Sequence, residues 1–125
     1  MSGLRVGIDL VRVSRIQESL DRFGDHFLRR IFTEAEIAYA SSAPAQMPER
    51  LAARFAAKEA ALKVLRPVDE GIGWREIEVL RAPSGACTLM LHGAAHAVAR
   101  AAGLSELAVS FSHEGDYATA IVVSH

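Results

Sequence analysis

The order of hydrophobic and polar residues along the chain predicts a strand near its start. Leu4, Val6 and Ile8 alternate with small or charged residues, and this period of two is typical of a strand with one buried face. We therefore expect a strand over residues 4–10 whose apolar side faces the core. Asp9 belongs to the other set of positions, so its carboxylate is expected on the opposite face.

Helical periodicity dominates the next part of the chain. Apolar residues recur at helical spacing after Val13, and Thr33 with Glu36 has the spacing of a capping box. A later stretch is rich in alanine, leucine and charged residues that favour helices. The predicted elements are a helix over 13–23 ended by Gly24, a short helix from Thr33 towards Ala40, a loop over 41–48, and a long helix over 49–65 closed by Pro67.

Strand patterns return in the second half of the chain. The predicted elements are strands over 77–80 and 88–91 joined by a turn at 83–85, a helix over 94–102 ended by Gly103, and a hairpin of strands over 107–112 and 117–123. This order predicts an α+β fold in which a small, mainly antiparallel sheet packs with the long central helix. A chain of 125 residues with 50% hydrophobic content can bury one core, so we expect one domain over residues 1–125.

Composition narrows the classes of partner. The 14 Lys and Arg residues nearly balance the 15 Asp and Glu residues, and only 6% of residues are aromatic, so no nucleic-acid partner is expected. No apolar run approaches the roughly 20 residues of a membrane span, and the N-terminal segment lacks the apolar core of a signal peptide. Cys87 is the single cysteine, which excludes an internal disulfide. We expect a cytoplasmic protein without a membrane partner.

The long predicted helix carries the densest chemistry. Residues four apart share a helix face, so Phe55, Glu59 and Lys63 project together, and Lys58 lies over Arg54. A carboxylate and an ammonium at this spacing are common as a simple surface pair. The spacing alone therefore does not assign a function.

A second motif makes the pattern specific. Gly7-Ile8-Asp9 and Phe55-x-x-Lys58-Glu59-Ala60-x-x-Lys63 together resemble the two signature motifs of the 4′-phosphopantetheinyl transferase superfamily. The resemblance also includes Arg15 and the segments 30–36, 51–54 and 109–118, so it covers nearly the whole chain. The length and the single copy of each motif are similar to the short holo-[acyl-carrier-protein] synthase branch.

This resemblance implies a reaction and a metal. Members of the family transfer the 4′-phosphopantetheine arm of coenzyme A to a serine of an apo acyl carrier protein and release adenosine 3′,5′-bisphosphate. The matching positions imply that Asp9 and Glu59 hold Mg²⁺, and that both act in catalysis with Lys63, which neutralises phosphate charge. Lys58 is a second cation of the motif and serves either the fold or the phosphates. The general base stays open between a water on the metal and a carboxylate such as Asp9 or Glu59.

The resemblance also implies surfaces for both substrates. Arg15 matches the family's carrier-contact position, and Arg22 belongs to the same predicted helix. Because carriers of this class are acidic around their modified serine, these arginines would steer docking. The short branch further implies a homotrimer with sites between neighbouring subunits. The residues implied in coenzyme A binding are Arg54, Lys58, Lys63 and His113.

One turn departs from the family pattern. Gly85 is followed by Ala86 and Cys87, where family members usually have a lysine or arginine and then a proline, so nucleotide contacts at this turn are expected to differ.

Two alternative functions remain. Paired carboxylates and lysines also suit a magnesium-dependent phosphoanhydride hydrolase. A catalytically silent carrier-binding module would keep the arginine helix alone. His92 and His96 have a zinc-compatible spacing but lack a third ligand, so zinc is not expected.

Overall fold

The computed structural model describes residues 3–67 and 71–125, which form a five-stranded antiparallel sheet and five α-helices. The predicted α+β fold is confirmed, and its long helix packs across the sheet. The strands lie in the order β1-β5-β4-β3-β2. They are β1 (Arg5–Arg12), β2 (Ile77–Arg81), β3 (Cys87–Leu91), β4 (Leu107–Glu114) and β5 (Tyr117–Ser124). The helices are α1 (Val13–Phe23), α2 (Asp25–Ile31), α3 (Glu34–Ser41), α4 (Met47–Leu65) and α5 (Gly93–Ala101), with 3₁₀ turns at Pro44–Gln46 and Trp74–Glu76.

Helix α4 lies unusually close to strand β1 because the residues between them are small. Gly7 of β1 faces the helix, and a β-carbon at this position would lie 2.1 Å from the carbonyl oxygen of Ala60. No side chain fits into that gap, so glycine is required where the helix backbone rests on the strand. The fully buried alanines of α4 are Ala52, Ala56, Ala57, Ala60 and Ala61.

The predicted orientation of β1 is wrong. Val6, Ile8 and Leu10 are 57%, 59% and 63% exposed, whereas Gly7 is buried beneath α4. Because only a residue without a side chain fits under the helix, the Gly7 face turns inward and the alternation sends the apolar set outward. Asp9 consequently lies on the helix side of the sheet, where its side chain is 22% exposed.

Strand β1 pairs with β5 along its whole length, from Arg5 opposite Ser124 to Arg12 opposite Tyr117. The Thr119 hydroxyl on β5 also donates a hydrogen bond of 2.7 Å to the carbonyl oxygen of Asp9. The position of Asp9 is therefore fixed on one side by the sheet and on the other by α4.

Two further details differ from the prediction. The sequence pattern does not predict α2, which follows α1 directly through Gly24, a residue with a φ of 54°. The predicted loop over 41–48 is wrong, because Ser41 still belongs to α3 and α4 already begins at Met47. Pro48 is tolerated there because the N–H groups of a first helical turn need no partner within the helix. None of the helices in the described part of the chain has the length and apolar character of a membrane span.

Candidate active site

Asp9, Glu59 and Lys63 come together in one chain. Asp9 and Glu59 line an open cavity of about 1040 Å³ bounded by β1, α1 and α4. Lys63 lies one helical turn after Glu59, and its ammonium nitrogen Nζ is 3.5 Å from Oδ1 of Asp9. The same Nζ donates a hydrogen bond of 2.6 Å to the carbonyl oxygen of Ile8. The close contact at Gly7 makes this possible, since it places β1 against this part of α4.

The surroundings of Glu59 in this cavity disfavour its charged form. Burial raises the pKa of Glu59 above its ordinary value, and the nearby negative charge of Asp9 raises it further, while Lys63 acts in the opposite direction. Within residues 3–67 and 71–125, no group of three or more His, Cys, Asp and Glu side chains is placed to hold a metal ion. Asp9 and Glu59 are thus two carboxylates at the cavity, and carboxylate oxygens are ligands that hard divalent cations prefer.

Lys58 lies in the protein interior and does not line this cavity. Its ammonium forms a 2.9 Å ion pair with Glu36, and both side chains are fully buried. It also donates to the carbonyl oxygens of Trp74, at 3.1 Å, and Ile77, at 2.5 Å. Because an ammonium has three donors, all of them are used. Burial lowers the pKa of Lys58, and Glu36 opposes that shift. Of the two roles considered for Lys58, this environment favours the one in the fold.

Glu36 completes this buried network. Its Oε1 accepts the backbone N–H of Thr33 at 2.9 Å, which together with the Thr33 side chain forms the predicted capping box of α3. Its Oε2 accepts the backbone N–H of Val79 at 2.9 Å. One ion pair thus joins α3, β2 and α4, with every polar atom satisfied.

A second group of cations surrounds the Tyr39 ring. The guanidinium carbons of Arg50, Arg54 and Arg81 lie 4.2, 4.4 and 5.3 Å from the ring centroid, and we call these three residues the arginine cluster. None of them forms an ion pair with any residue of the described ranges. Nε of Arg54 is buried and has no hydrogen-bond partner in this part of the chain, and burial lowers the pKa of that guanidinium. Guanidiniums without a carboxylate partner are suited to bind an anion.

His113 lies at the same end of α4 as the arginine cluster. Its Nδ1 is 3.4 Å from Oε2 of Glu49, and its side chain is 61% exposed. Phe111, two residues earlier on β4, lies 5.9 Å from the Arg54 guanidinium. Because Arg54 and Glu59 are five residues apart, they point about 140° apart around the helix axis. The structure therefore does not bring Arg54 and His113 to the cavity of Asp9 and Glu59 within one chain.

The two arginines of α1 occupy different places. Arg15 lines the cavity beside Asp9 and Glu59. Arg22 lies at the far end of α1, where its guanidinium is 5.5 Å from the ring centroid of Phe23. Phe23 itself is 55% exposed. The exposed side of α1 therefore combines positive charge with an apolar ring.

Sequence reasoning missed Arg50 and Arg81 as candidate binding residues. The four-residue spacing of Arg50 and Arg54 was a usable signal, whereas Arg81 comes from a distant strand. Nη2 of Arg81 lies 3.4 Å from the place that a β-carbon of Gly85 would take. A cation thus stands at the turn where the chain lacks the family's lysine or arginine. His92 pairs with Glu78 at 3.0 Å.

Comparisons with known proteins agree with these features. The model of the 4′-phosphopantetheinyl transferase superfamily matches residues 5–122. The chain is 48% identical to a holo-[acyl-carrier-protein] synthase of Koribacter versatilis over 121 residues, which is 96% of each chain. It is 43% identical to one of Gloeobacter violaceus over 118 residues, which is 94% of this chain and 89% of that protein.

Solved structures show the same fold. The ACPS–coenzyme A complex of Chronobacterium ammoniagenes superposes with a TM-score of 0.85 at 36% identity, covering 98% of this chain and 96% of that chain. Holo-[acyl-carrier-protein] synthase of Helicobacter pylori in complex with coenzyme A gives a TM-score of 0.83 at 27% identity. The match covers 97% of this chain and 100% of that chain. The family model matches nearly the whole chain, and relatives such as that of Koribacter versatilis are similar to it over 96% of its length. This chain therefore belongs to the 4′-phosphopantetheinyl transferase superfamily.

Proposed function

We propose that this chain transfers the 4′-phosphopantetheine arm of coenzyme A to a serine of an apo acyl carrier protein and releases adenosine 3′,5′-bisphosphate. The similar proteins are named for this synthase activity, and two similar structures are coenzyme A complexes. The observation that carries the proposal is the meeting of Asp9 and Glu59 at one open cavity, with the Lys63 ammonium 3.5 Å from Asp9. A silent carrier-binding module has no need of that arrangement.

Asp9 and Glu59 fit a magnesium ion. They are hard oxygen ligands on two elements, they share a cavity with room for waters and a phosphate oxygen, and burial and mutual repulsion raise the pKa of Glu59. When bound, the ion withdraws electron density from the pyrophosphate of coenzyme A. A divalent charge would also relieve the repulsion that the structure shows between the two carboxylates.

Lys63 and the carboxylates take separate parts in the transfer. The serine oxygen bonds to the phosphorus on the pantetheine side, the bond from that phosphorus to the bridging oxygen breaks, and adenosine 3′,5′-bisphosphate leaves. The ammonium of Lys63 neutralises the charge that moves onto the leaving phosphate. The serine proton goes to a base, either a water in the cavity or one of the two carboxylates.

The arginine cluster and His113 suit the phosphates of the adenosine half of coenzyme A. Three guanidiniums without carboxylate partners, one of them with an unsatisfied buried Nε, form a local positive site on a protein of nearly neutral net charge. Arg81 would supply the cation that the family has elsewhere in the same turn.

A homotrimer with shared sites would bring these two groups together. Within one chain the arginine cluster and the cavity lie on different sides of α4. One coenzyme A molecule, however, has to place its phosphates at both the cluster and the cavity. The outer face of β1 supports association, since Leu4, Val6, Ile8 and Leu10 are all more than half exposed and Ile121 extends the patch on β5. An apolar sheet face of this kind is typical of a surface covered by another protein. We therefore propose that one subunit supplies Asp9, Glu59 and Lys63 and its neighbour supplies Arg54 and His113.

Mixing inactive subunits tests the shared site. Asp9→Ala chains exchanged with Arg81→Ala/His113→Ala chains should regain about one quarter of the wild-type sites, because half of the subunits contribute each intact part at random. Asp9→Ala mixed with Lys63→Ala is the matched control and should regain nothing, since these residues act in the same chain. Native mass spectrometry verifies that the subunits have exchanged. The arrangement is contradicted if the first mixture regains no activity, or if both mixtures regain the same activity.

Arg15 and Arg22 are proposed to bind the carrier. Arg15 lines the cavity where the serine must enter, and Arg22 extends the same exposed helix side away from it. Their positive charge would attract an acidic carrier and raise the association rate, more strongly at low salt.

The intact mass of an apo acyl carrier protein tests the activity directly. Incubation with this protein, coenzyme A and Mg²⁺ should add roughly 340 Da, the mass of one phosphopantetheine arm, and a chelator should prevent the gain. Glu59→Ala should abolish the gain while the protein stays folded, since alanine is favourable in a helix. Release of free phosphopantetheine without a carrier would favour the hydrolase instead, and no reaction with several carriers would favour the silent module.

A further inference from the structure

Helix α1 begins without a capping side chain of its own. Its N-cap residue is Arg12, whose side chain makes no capping hydrogen bond, and its first turn contains no acidic residue. The first N–H groups of a helix need acceptors from outside it. The acceptors come from Asp116, in the turn between β4 and β5, a hundred residues away in the sequence.

Asp116 binds the start of α1 with three acceptor atoms. Its carbonyl oxygen accepts the N–H of Val13 at 2.8 Å. Its Oδ1 accepts the N–H of Ser14 at 2.9 Å, and its Oδ2 accepts the Ser14 hydroxyl at 2.6 Å. The negative charge also lies at the positive end of the helix dipole. One residue of the hairpin turn thus replaces a whole N-terminal cap.

The neighbouring contacts extend this attachment to β1. Tyr117, the next residue, pairs in register with Arg12, the last residue of β1. The Arg12 guanidinium also lies 5.7 Å from the ring centroid of Tyr117. The junction of β1 and α1 is therefore held against the start of β5 by backbone, carboxylate and aromatic contacts.

The residues on the two sides of this junction have different proposed tasks. Asp9 comes before it on β1, Arg15 comes directly after it on α1, and both line the same cavity. The direction in which α1 leaves the junction therefore sets the place of Arg15 relative to Asp9. We propose, resting on the transfer function above, that Asp116 is a positioning residue for the carrier substrate, because it fixes the helix that carries Arg15 and Arg22.

Replacing Asp116 with alanine tests this role by separating the two substrates. In Asp116→Ala we expect the KM for the apo carrier to rise about fivefold or more, as the frayed start of α1 displaces Arg15. The KM for coenzyme A and the kcat at saturating carrier should stay at wild-type values. Amide hydrogen exchange at Val13 and Ser14 should become faster, which reports the loss of the cap without any substrate.

Two variants serve as controls. Asp116→Asn keeps a side-chain oxygen for the Ser14 N–H, so its carrier KM should stay close to the wild-type value. Glu114→Ala changes an exposed residue at the end of β4, directly before the same turn, and should leave both KM values unchanged. An Asn variant that behaves like the Ala variant would show a charge effect and overturn the positioning role.

The remaining outcomes also decide the proposal. Faster exchange at Ser14 with an unchanged carrier KM shows a purely structural cap and overturns it, as does an equal loss for both substrates. If the wild-type protein modifies no carrier, the proposed transfer function fails instead. Hydrogen exchange would then still show whether Asp116 holds α1, so the two failures are distinguishable.

Discussion

Helix α4 carries two lysines of one motif in opposite surroundings. Lys58 is fully buried against Glu36, and all donors and acceptors of that network have partners. Lys63 is 54% exposed beside Asp9, and the carboxylates near it repel each other. The same residue types therefore make a structural element where the network is closed, and the proposed reactive site where it stays open to solvent.

The physical cost of the two pairs differs as well. A buried ion pair has lost its hydration, so removal of one partner leaves an uncompensated charge in the interior. An exposed pair gains little from its attraction, and its loss hardly affects the fold. Substitutions at the two lysines should therefore separate stability from activity.

The largest effect is expected at the buried lysine. Lys58→Met leaves Glu36 charged and unpaired, and we expect the free energy of unfolding to fall by about 3–5 kcal/mol, measured by urea denaturation. Lys58→Met/Glu36→Gln removes the stranded charge but keeps an oxygen for the capping box, so it should recover part of the loss. A Lys58→Met protein whose urea denaturation midpoint equals that of the wild type would contradict the structural role of Lys58.

The exposed lysine should show the reverse pattern. Lys63→Met should slow transfer about 10²–10³-fold, or about 2.7–4 kcal/mol in the activation free energy, because a charge that stabilises the leaving phosphate is gone. Its thermal unfolding should stay at the wild-type temperature. Lys63→Arg keeps the charge and should restore part of the rate, and full activity in the Met variant would exclude the proposed role.

Gly7 connects the two behaviours, since it sets how closely β1 approaches α4. Gly7→Ala forces a β-carbon against the Ala60 carbonyl, and we expect a loss of about 1–3 kcal/mol in unfolding free energy together with slower transfer. Gly71→Ala is the matched control, because no atom of residues 3–67 and 71–125 that the substitution would meet lies within 4 Å of its added β-carbon. Equal stability of the two variants would argue against the tight contact.

The smallest effect concerns the pH dependence of stability. The pKa of Glu59 is raised in the folded protein, so folding favours its protonated form and the carboxylate costs stability at neutral pH. Glu59→Gln without metal should therefore unfold at a slightly higher temperature than the wild type at pH 7. The difference in unfolding temperature should disappear at pH values below 4.5, the ordinary pKa of this carboxyl group, because Glu59 is then uncharged like the glutamine that replaces it. The same difference at both pH values would refute this origin.

Local signals in the sequence predicted much of the fold. The limits of α1, the capping box of Thr33 and Glu36, and the hairpin of β4 and β5 depend on residues close in sequence, and the structure contains all of them. The grouping of Asp9, Glu59 and Lys63 was predicted from the resemblance to the family's two motifs, since helical spacing relates only Glu59 to Lys63.

Tertiary contacts decided what the sequence could not. Alanines on several sides of α4 blur the difference between its buried and exposed faces, so the pattern separated Lys58 from Lys63 by direction but left the role of Lys58 open between the fold and the phosphates. The apolar alternation of β1 favoured the wrong face, because the contact between Gly7 and Ala60 depends on a helix far along the chain. The arginine cluster joins α4 with β2, and no local period connects them.

The pairing of β1 with β5 has a consequence for synthesis and folding. Asp9 pairs with Ala120 in the sheet, and its carbonyl oxygen is held by Thr119, which lies 110 residues later in the sequence. Contacts between residues so distant in sequence require closure of a long loop and form slowly. The Asp9 side of the cavity is therefore completed only after β5 has been made and has paired with β1.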